Sequence, residues 1–162
     1  MSEHGIEIKK VLLKDLFLVD IPAFESKESL FDFISNKFEE AKIVSNQAAF
    51  KESLNHREAL GPTYMGDLIA IPHGQCEEVI TSGVGFIRCN DSFQYQSAGE
   101  EGPVKYIFVL AVMNDQENNE HLRILATLAG YMMKDTFRKL LESVQTYEEM
   151  IAGIERLNEE DI

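Results

Sequence analysis

Residues 105–113, KYIFVLAVM, contain an unbroken apolar run from Tyr106 to Met113. That run is far too short to span a bilayer, which takes about 20 helical residues. Its length and its β-branched and aromatic content read as a strand. Because apolar residues do not alternate with polar ones, both of its faces must be covered. The segment LIAI (68–71) has the same character, and GVGFIRC (83–89) reads as a third strand. A sheet apolar on both faces requires helices on both sides. The predicted fold class is therefore α/β, a three-layer domain with a mixed β-sheet flanked by helices on both faces.

The rest of the chain supplies those helices. Ser26 is placed to N-cap a helix through about Lys42, with Leu30, Phe31, Ile34, Phe38 and Ala41 on one face. A second helix is predicted from near Ser45, with Phe50 and Leu54 inward, and Gly61–Pro62 must stop it. After Asn114 the apolar period becomes helical again. Asn118 or Asn119 is a cap for a helix carrying Leu122, Leu125, Ala129 and Met132, and Asp135 for one carrying Phe137, Leu140, Leu141 and Val144. Thr146 and Glu149 form a T-x-x-E capping box ahead of Met150, Ile151, Ile154 and Leu157. Residues 16–21 read as a short strand or extended entry segment ended by Pro22. Residues 90–103, polar and glycine-rich, read as a loop with at most a short edge strand around Phe93–Tyr95. No repeat or composition break divides the chain. The expectation is one domain over residues 1–162, with its core at about 12–157.

Charge narrows the function. Fifteen Lys and Arg against 28 Asp and Glu leave a net charge of −13, which repels nucleic acid and suits a basic protein surface. The two cysteines, Cys76 and Cys89, are too few for a disulfide framework. The first residues, MSEHGIEIKK, lack the apolar core of a signal peptide, so the expected location is the cytoplasm, with no direct membrane insertion.

The chemistry points to LIAIPHG (68–74). A buried strand that leaves the sheet at Pro72 would hold His73 at an exposed rim, where ligands of open α/β sheets gather. Gly74 leaves space beside the imidazole for a phosphate or another surface. A neutral imidazole at pH 7 is a nucleophile, a base or a metal ligand. Two other residues suit a phosphoryl group. His121 falls in the first turn of a helix, whose free N–H groups favour an anion. Arg57, near the end of the second helix, carries a guanidinium fork that matches phosphate oxygens. Glu58 beside it either orients Arg57 or faces water. His73 and Cys76 also form an H-x-x-C pair to which His121 would be a third metal ligand, although zinc sites normally have closer Cys and His pairings. His4 and His56 belong to no motif, and Glu159–Asp161 reads as a solvated tail.

Taken together, REALGPTYMGDLIAIPHG (57–74) and HLRILATLA (121–129) resemble the enzyme IIA domain of the mannitol–fructose class of the bacterial phosphoenolpyruvate-dependent sugar phosphotransferase system. The resemblance runs from about Leu12 to Leu157, and its three blocks occur in the family's order. It implies that His73, in the A-I-P-H motif, is the phosphoryl acceptor. It further implies that His121, opening the H-L-x-x-L-A-x-L-A helix, contacts the phosphoryl site, and that Arg57 of the R-E pair belongs to the active site. One departure is Asp67–Leu68, where many members carry Asn–Gly or a similar pair.

The resemblance implies a phosphocarrier that takes a phosphoryl group from phospho-HPr and passes it to an enzyme IIB. A membrane enzyme IIC is served indirectly, and the sugar is of the fructose or mannitol class. Transfers between protein side chains require neither cofactor nor metal, and the chain has no G-x-x-x-x-G-K-[ST] loop. Tyr64, Met65 and Leu68 are the expected apolar centre of the docking face. No enzyme IIB phosphocysteine signature or HPr domain accompanies the domain, which reads as a stand-alone component. The alternative is a regulatory IIA-like domain whose phosphorylation state controls protein binding. The sugar, the IIB partner and the oligomeric state are not written in the sequence.

Overall fold

The computed structural model describes residues 8–114 and 120–160, with the side chains of 120, 121 and 160 excepted. The chain divides into two compact units, one of Leu13–Asp115 and one of the described parts of Met1–Leu12 and Gln116–Ile162.

The larger unit is built on a six-stranded mixed sheet. Its strands are β1 (Leu12–Ile21), β2 (Tyr64–Gly66), β3 (Ile69–Ala70), β4 (His73–Cys76), β5 (Gly83–Ser97) and β6 (Glu100–Met113). The order is β1-β5-β6-β3-β2, with β4 also paired to β6. β5 and β6 are antiparallel, whereas β3 and β4 run parallel to β6. Two helices, α2 (Lys27–Glu40) and α3 (Gln47–Leu60), belong to this unit. Ser26 caps α2 in a reciprocal capping box with Ser29, and Asn46 caps α3. Leu30, Phe31, Ile34 and Phe38 of α2 and Phe50 and Leu54 of α3 join one core with Ile87, Tyr95, Ile107 and Val109 of β5 and β6.

Three expectations change here. The chain does not leave the sheet at Pro72. Ile69 and Ala70 lie opposite Tyr106 and Ile107, and His73 and Gly74 opposite Leu110 and Ala111. The offset is the same on both sides of Pro72, so β3 and β4 are one strand line along β6, interrupted where proline cannot donate. Residues 90–103 are a hairpin rather than a loop. Phe93, Tyr95 and Ser97 are buried while Gln94 and Gln96 face out, the alternation of a strand with one covered face. The turn is Ala98–Gly99, at φ 38° and 90°, the two left-handed residues of a tight hairpin. β1 begins at Leu12 instead of residue 16.

Asp67 and Leu68 form the two-residue connection between β2 and β3, and both have positive φ, 52° and 68°. This explains why an Asn–Gly pair suits the position. A leucine in the left-handed region costs about 1–2 kcal/mol, and glycine's greater freedom when unfolded offsets roughly half of that. Leu68→Gly is expected to raise stability by about 0.5 kcal/mol. A urea midpoint that moves upward without a change in slope would show it.

The second unit contains α1 (Ile8–Val11), α4 (Glu120–Met132), α5 (Asp135–Ser143) and α6 (Tyr147–Glu160). The T-x-x-E box forms as expected, with Glu149 N–H on Thr146 Oγ1 at 3.1 Å and Thr146 N–H on Glu149 Oε1 at 3.1 Å. Met150, Ile154 and Leu157 are buried. Asp135 is the first residue of α5 rather than its cap, which is Lys134. In α4 the buried face is Ile124, Leu128, Tyr131 and Met132, whereas Leu122 is exposed. The capping asparagines expected at 118 and 119 lie outside the described residues.

Candidate active site

The strand line that carries His73 also fixes its ring. Two residues upstream, the Ile71 carbonyl oxygen lies 3.1 Å from His73 Nδ1. A carbonyl only accepts, so Nδ1 carries the proton and Nε2 is the bare nitrogen. Arg57 Nε–H donates to Nε2 at 2.8 Å. A second guanidinium nitrogen of Arg57 donates to the Gly61 carbonyl at 2.9 Å, at the end of α3. His73 and Arg57, placed apart in the sequence, are thus in direct contact. His73 is only 8% exposed, so the expectation of an open rim is corrected: the histidine is buried where it opens β4, the strand paired to β6.

Of the two occupants expected beside Gly74, a phosphate or another surface, the structure shows a surface of the chain itself. A Cβ there would meet Ser53 Oγ in severe overlap and Phe50 Cε1 at 2.8 Å. The surface that approaches it is α3, the helix that carries Arg57. The missing side chain lets α3 lie against β4 and brings Arg57 within reach of His73. Gly74→Ala is expected to destabilise the protein by about 1–3 kcal/mol through overpacking, read as a lower denaturation midpoint.

Glu58 does not orient Arg57 directly and does not face water. Phe50, Leu54 and Glu58 recur every four residues, which puts Glu58 on the buried stripe of α3, 6% exposed. Its carboxylate accepts from Lys27 Nζ at 3.1 Å, Ser97 Oγ at 3.3 Å, Tyr95 O–H at 3.4 Å and the Thr63 hydroxyl. Burial and the adjacent Glu58 charge both push the Tyr95 phenol upward, so it remains a protonated donor. The negative charge of Glu58 is matched by Lys27. Among the described residues, Arg57 donates only to neutral acceptors, so its charge is not consumed by a carboxylate. Sequence reasoning missed this cluster, although the spacing 50, 54, 58 signalled it.

His121 is the second residue of α4, in its first turn as expected, and its side chain lies outside the described residues. His73 and Cys76 sit three apart on one strand, so their side chains project to opposite faces, against the H-x-x-C metal pairing. Cys76 is half-buried, and burial raises the thiol pKa. Of the expected docking residues, Met65 is 48% exposed, while Tyr64 and Leu68 are half-buried.

Comparison with known proteins identifies the family of the chain. Residues 10–157 match the family described as phosphoenolpyruvate-dependent sugar phosphotransferase system, EIIA 2. The chain is 29% identical over 146 residues to the fructose-specific EIIABC component of Bacillus subtilis, covering 90% of this chain but 22% of that protein. It spans about a fifth of the length of the first curated relatives it matches. A crystal structure of the nitrogen regulatory protein IIA-Ntr from Neisseria meningitidis superimposes with a TM-score of 0.76 at 31% identity, covering 91% of this chain and 98% of that one. The Escherichia coli complex of enzyme IIA-mannitol with phosphorylated enzyme IIB-mannitol shares the fold at TM-score 0.66 and 20% identity. The α/β architecture and the family match agree, and the chain is a phosphotransferase-system component belonging to the enzyme IIA type 2 family.

Proposed function

We propose that His73 accepts a phosphoryl group on Nε2 from phosphorylated HPr and passes it to an enzyme IIB. The observation that carries this reading is the Arg57 Nε–His73 Nε2 contact at 2.8 Å, combined with a ring whose Nδ1–H is held by Ile71 O. The hydrogen bond to Ile71 selects the tautomer with its lone pair on Nε2. That lone pair attacks phosphorus, and the P–N bond on the carrier breaks as the new P–N bond on Nε2 forms. Nδ1 keeps its proton throughout. Arg57 Nε–H occupies the attacking lone pair in the resting protein, so it must swing off as phosphorus arrives. The guanidinium then donates to the phosphoryl oxygens, where charge concentrates during transfer.

His121 enters this proposal through the family motif alone, as its second histidine. Residues 10–157 match the family as one stretch, so the two units are read as parts of a single enzyme IIA domain. No helix among the described residues is long and apolar enough to cross a membrane. A cytoplasmic location belongs to this proposal through its soluble phosphoryl donor, phospho-HPr. The net charge of −13 favours approach of a carrier with a basic face. Similarity to a fructose-specific component supports a sugar of the fructose or mannitol class, delivered through a IIB to a membrane IIC.

A second reading is favoured by the likeness to IIA-Ntr over almost the full length of both chains: phosphorylation of His73 controls binding to other proteins instead of sugar uptake. The two separate in a relay assay. The protein is incubated with phosphoenolpyruvate, enzyme I and HPr, then offered the IIB components of the same cell. Passage of acid-labile phosphate to a IIB supports transport. Acceptance without passage, together with phosphorylation-dependent capture of a defined partner, supports regulation. No acceptance from active phospho-HPr contradicts both.

A further inference from the structure

The strongest observation outside the reacting pair is the way the connector after α3 is fastened. Gly61 O accepts from the Arg57 guanidinium, and Thr63 O, two residues on, accepts from Ile71 N–H at 2.9 Å. The carbonyl of that same Ile71 holds His73 Nδ1. Both members of the reacting pair are therefore tied to the short segment 61–63, Arg57 at one end and His73 at the other.

Thr63 is the anchored end. It is 2% exposed, and its three polar atoms are all used. Its N–H donates to Ser97 Oγ at 2.6 Å, and its carbonyl accepts from Ile71. Its hydroxyl donates to Glu58 and lies 2.7 Å from the Tyr95 phenol oxygen, Oη. The donor count closes. Thr63 spends its hydroxyl proton on Glu58, so Tyr95 O–H donates toward Thr63, and its 3.4 Å approach to Glu58 is the weaker branch of that same shared proton. Ser97 accepts from Thr63 N–H and donates to Glu58. Every group around the carboxylate donates, and the carboxylate only accepts. Such a fully satisfied buried network has one arrangement, and a lost member leaves buried polar groups unpaired.

We propose that Glu58 and Thr63 are positioning residues for phosphoryl transfer, holding the connector 61–63 in the one placement that aligns Arg57 Nε with His73 Nε2. The proposal rests on the reading of His73 as the phosphoryl acceptor. Its geometric content, the alignment of the two side chains, does not depend on that reading. Neither residue touches the reacting atoms; each acts through Gly61, Ile71 and the α3 backbone. Lys27, which neutralises Glu58, keeps that carboxylate from competing for the Arg57 charge.

The test is Thr63→Val, which keeps the shape and removes the hydroxyl, compared with Thr63→Ser, which keeps the hydroxyl. Two quantities are read in each: the rate of phosphoryl acceptance at saturating and limiting phospho-HPr, and the nitrogen-15 resonances of Arg57 Nε–H and the His73 ring. Thr63→Val is expected to lower the saturated rate about tenfold with little change in KM. It should also move the Arg57 Nε–H resonance and speed its exchange with solvent. Thr63→Ser should restore both. If Thr63→Val does not fold, Ser97→Ala removes the acceptor for Thr63 N–H and should give the same pattern more weakly. A folded variant with wild-type rate and unmoved Arg57 and His73 resonances would overturn the proposal. If the wild type itself accepts no phosphate, the functional reading fails, and the resonances still decide the positioning claim.

Discussion

His73→Ala is expected to lose phosphoryl acceptance completely, to the background of a protein with no phosphohistidine. The expectation follows from the wiring of the ring. Ile71 O fixes the proton on Nδ1, Arg57 marks the lone pair on Nε2, and no other described histidine is placed in this way. His56, the other histidine whose side chain is described, is exposed on α3. Removing the imidazole leaves Ile71 O and the Arg57 donor to find water, at a cost in stability of about 1–3 kcal/mol. Unfolding curves beside the phosphorylation assay separate that loss from the loss of the nucleophile. A folded His73→Ala protein that still gains acid-labile phosphate would remove His73 from the mechanism.

The second large effect is expected at Arg57. Arg57→Ala should slow acceptance by about 10²–10³-fold, the usual consequence of deleting one preorganised donor to developing charge, equivalent to about 3–4 kcal/mol. Arg57→Lys should recover little of this. The guanidinium donates at once to His73 and to Gly61 O from two nitrogens in a fixed fork, whereas an ammonium is a single point charge on a flexible stem. Rates measured against phospho-HPr concentration would show the loss chiefly in the saturated rate. An Arg57→Ala protein within a few-fold of wild type would mean that the guanidinium does not act on the phosphoryl group.

Much of the fold was legible because it depends on local chemistry. Ser26 and Thr146 cap the helices their side chains announce, and the apolar run is buried from Tyr106 to Val112, as its composition requires. The errors arose where local signals are ambiguous. Pro72 reads as the end of a strand, yet the sheet tolerates it, because the strand line resumes at His73 in unchanged register. The polarity of residues 90–103 reads as a loop, yet the alternation of Phe93, Tyr95 and Ser97 with glutamines is that of a half-covered strand. In α4, the small Ala129 and the exposed Leu122 displaced the expected buried face by part of a turn.

The site divides along the same line. His73 and Arg57 stood out by residue type, and their contact required the fold. Glu58 was misjudged because a charged residue on an inner stripe is rare, and its four partners come from three other parts of the chain. Gly74 read as room for a phosphate or another surface, and that the surface is α3 is visible only once α3 is placed against β4.

Nε2 of His73 is the atom proposed to carry the phosphoryl group. Nitrogen-15 NMR of the intact protein, phosphorylated through phospho-HPr and labelled in its histidine rings, tests it most directly. A single phosphohistidine is expected, at His73, with phosphorus coupled to Nε2 and the Nδ1 proton still present. Phosphorus on Nδ1, or on a residue other than His73, would contradict it.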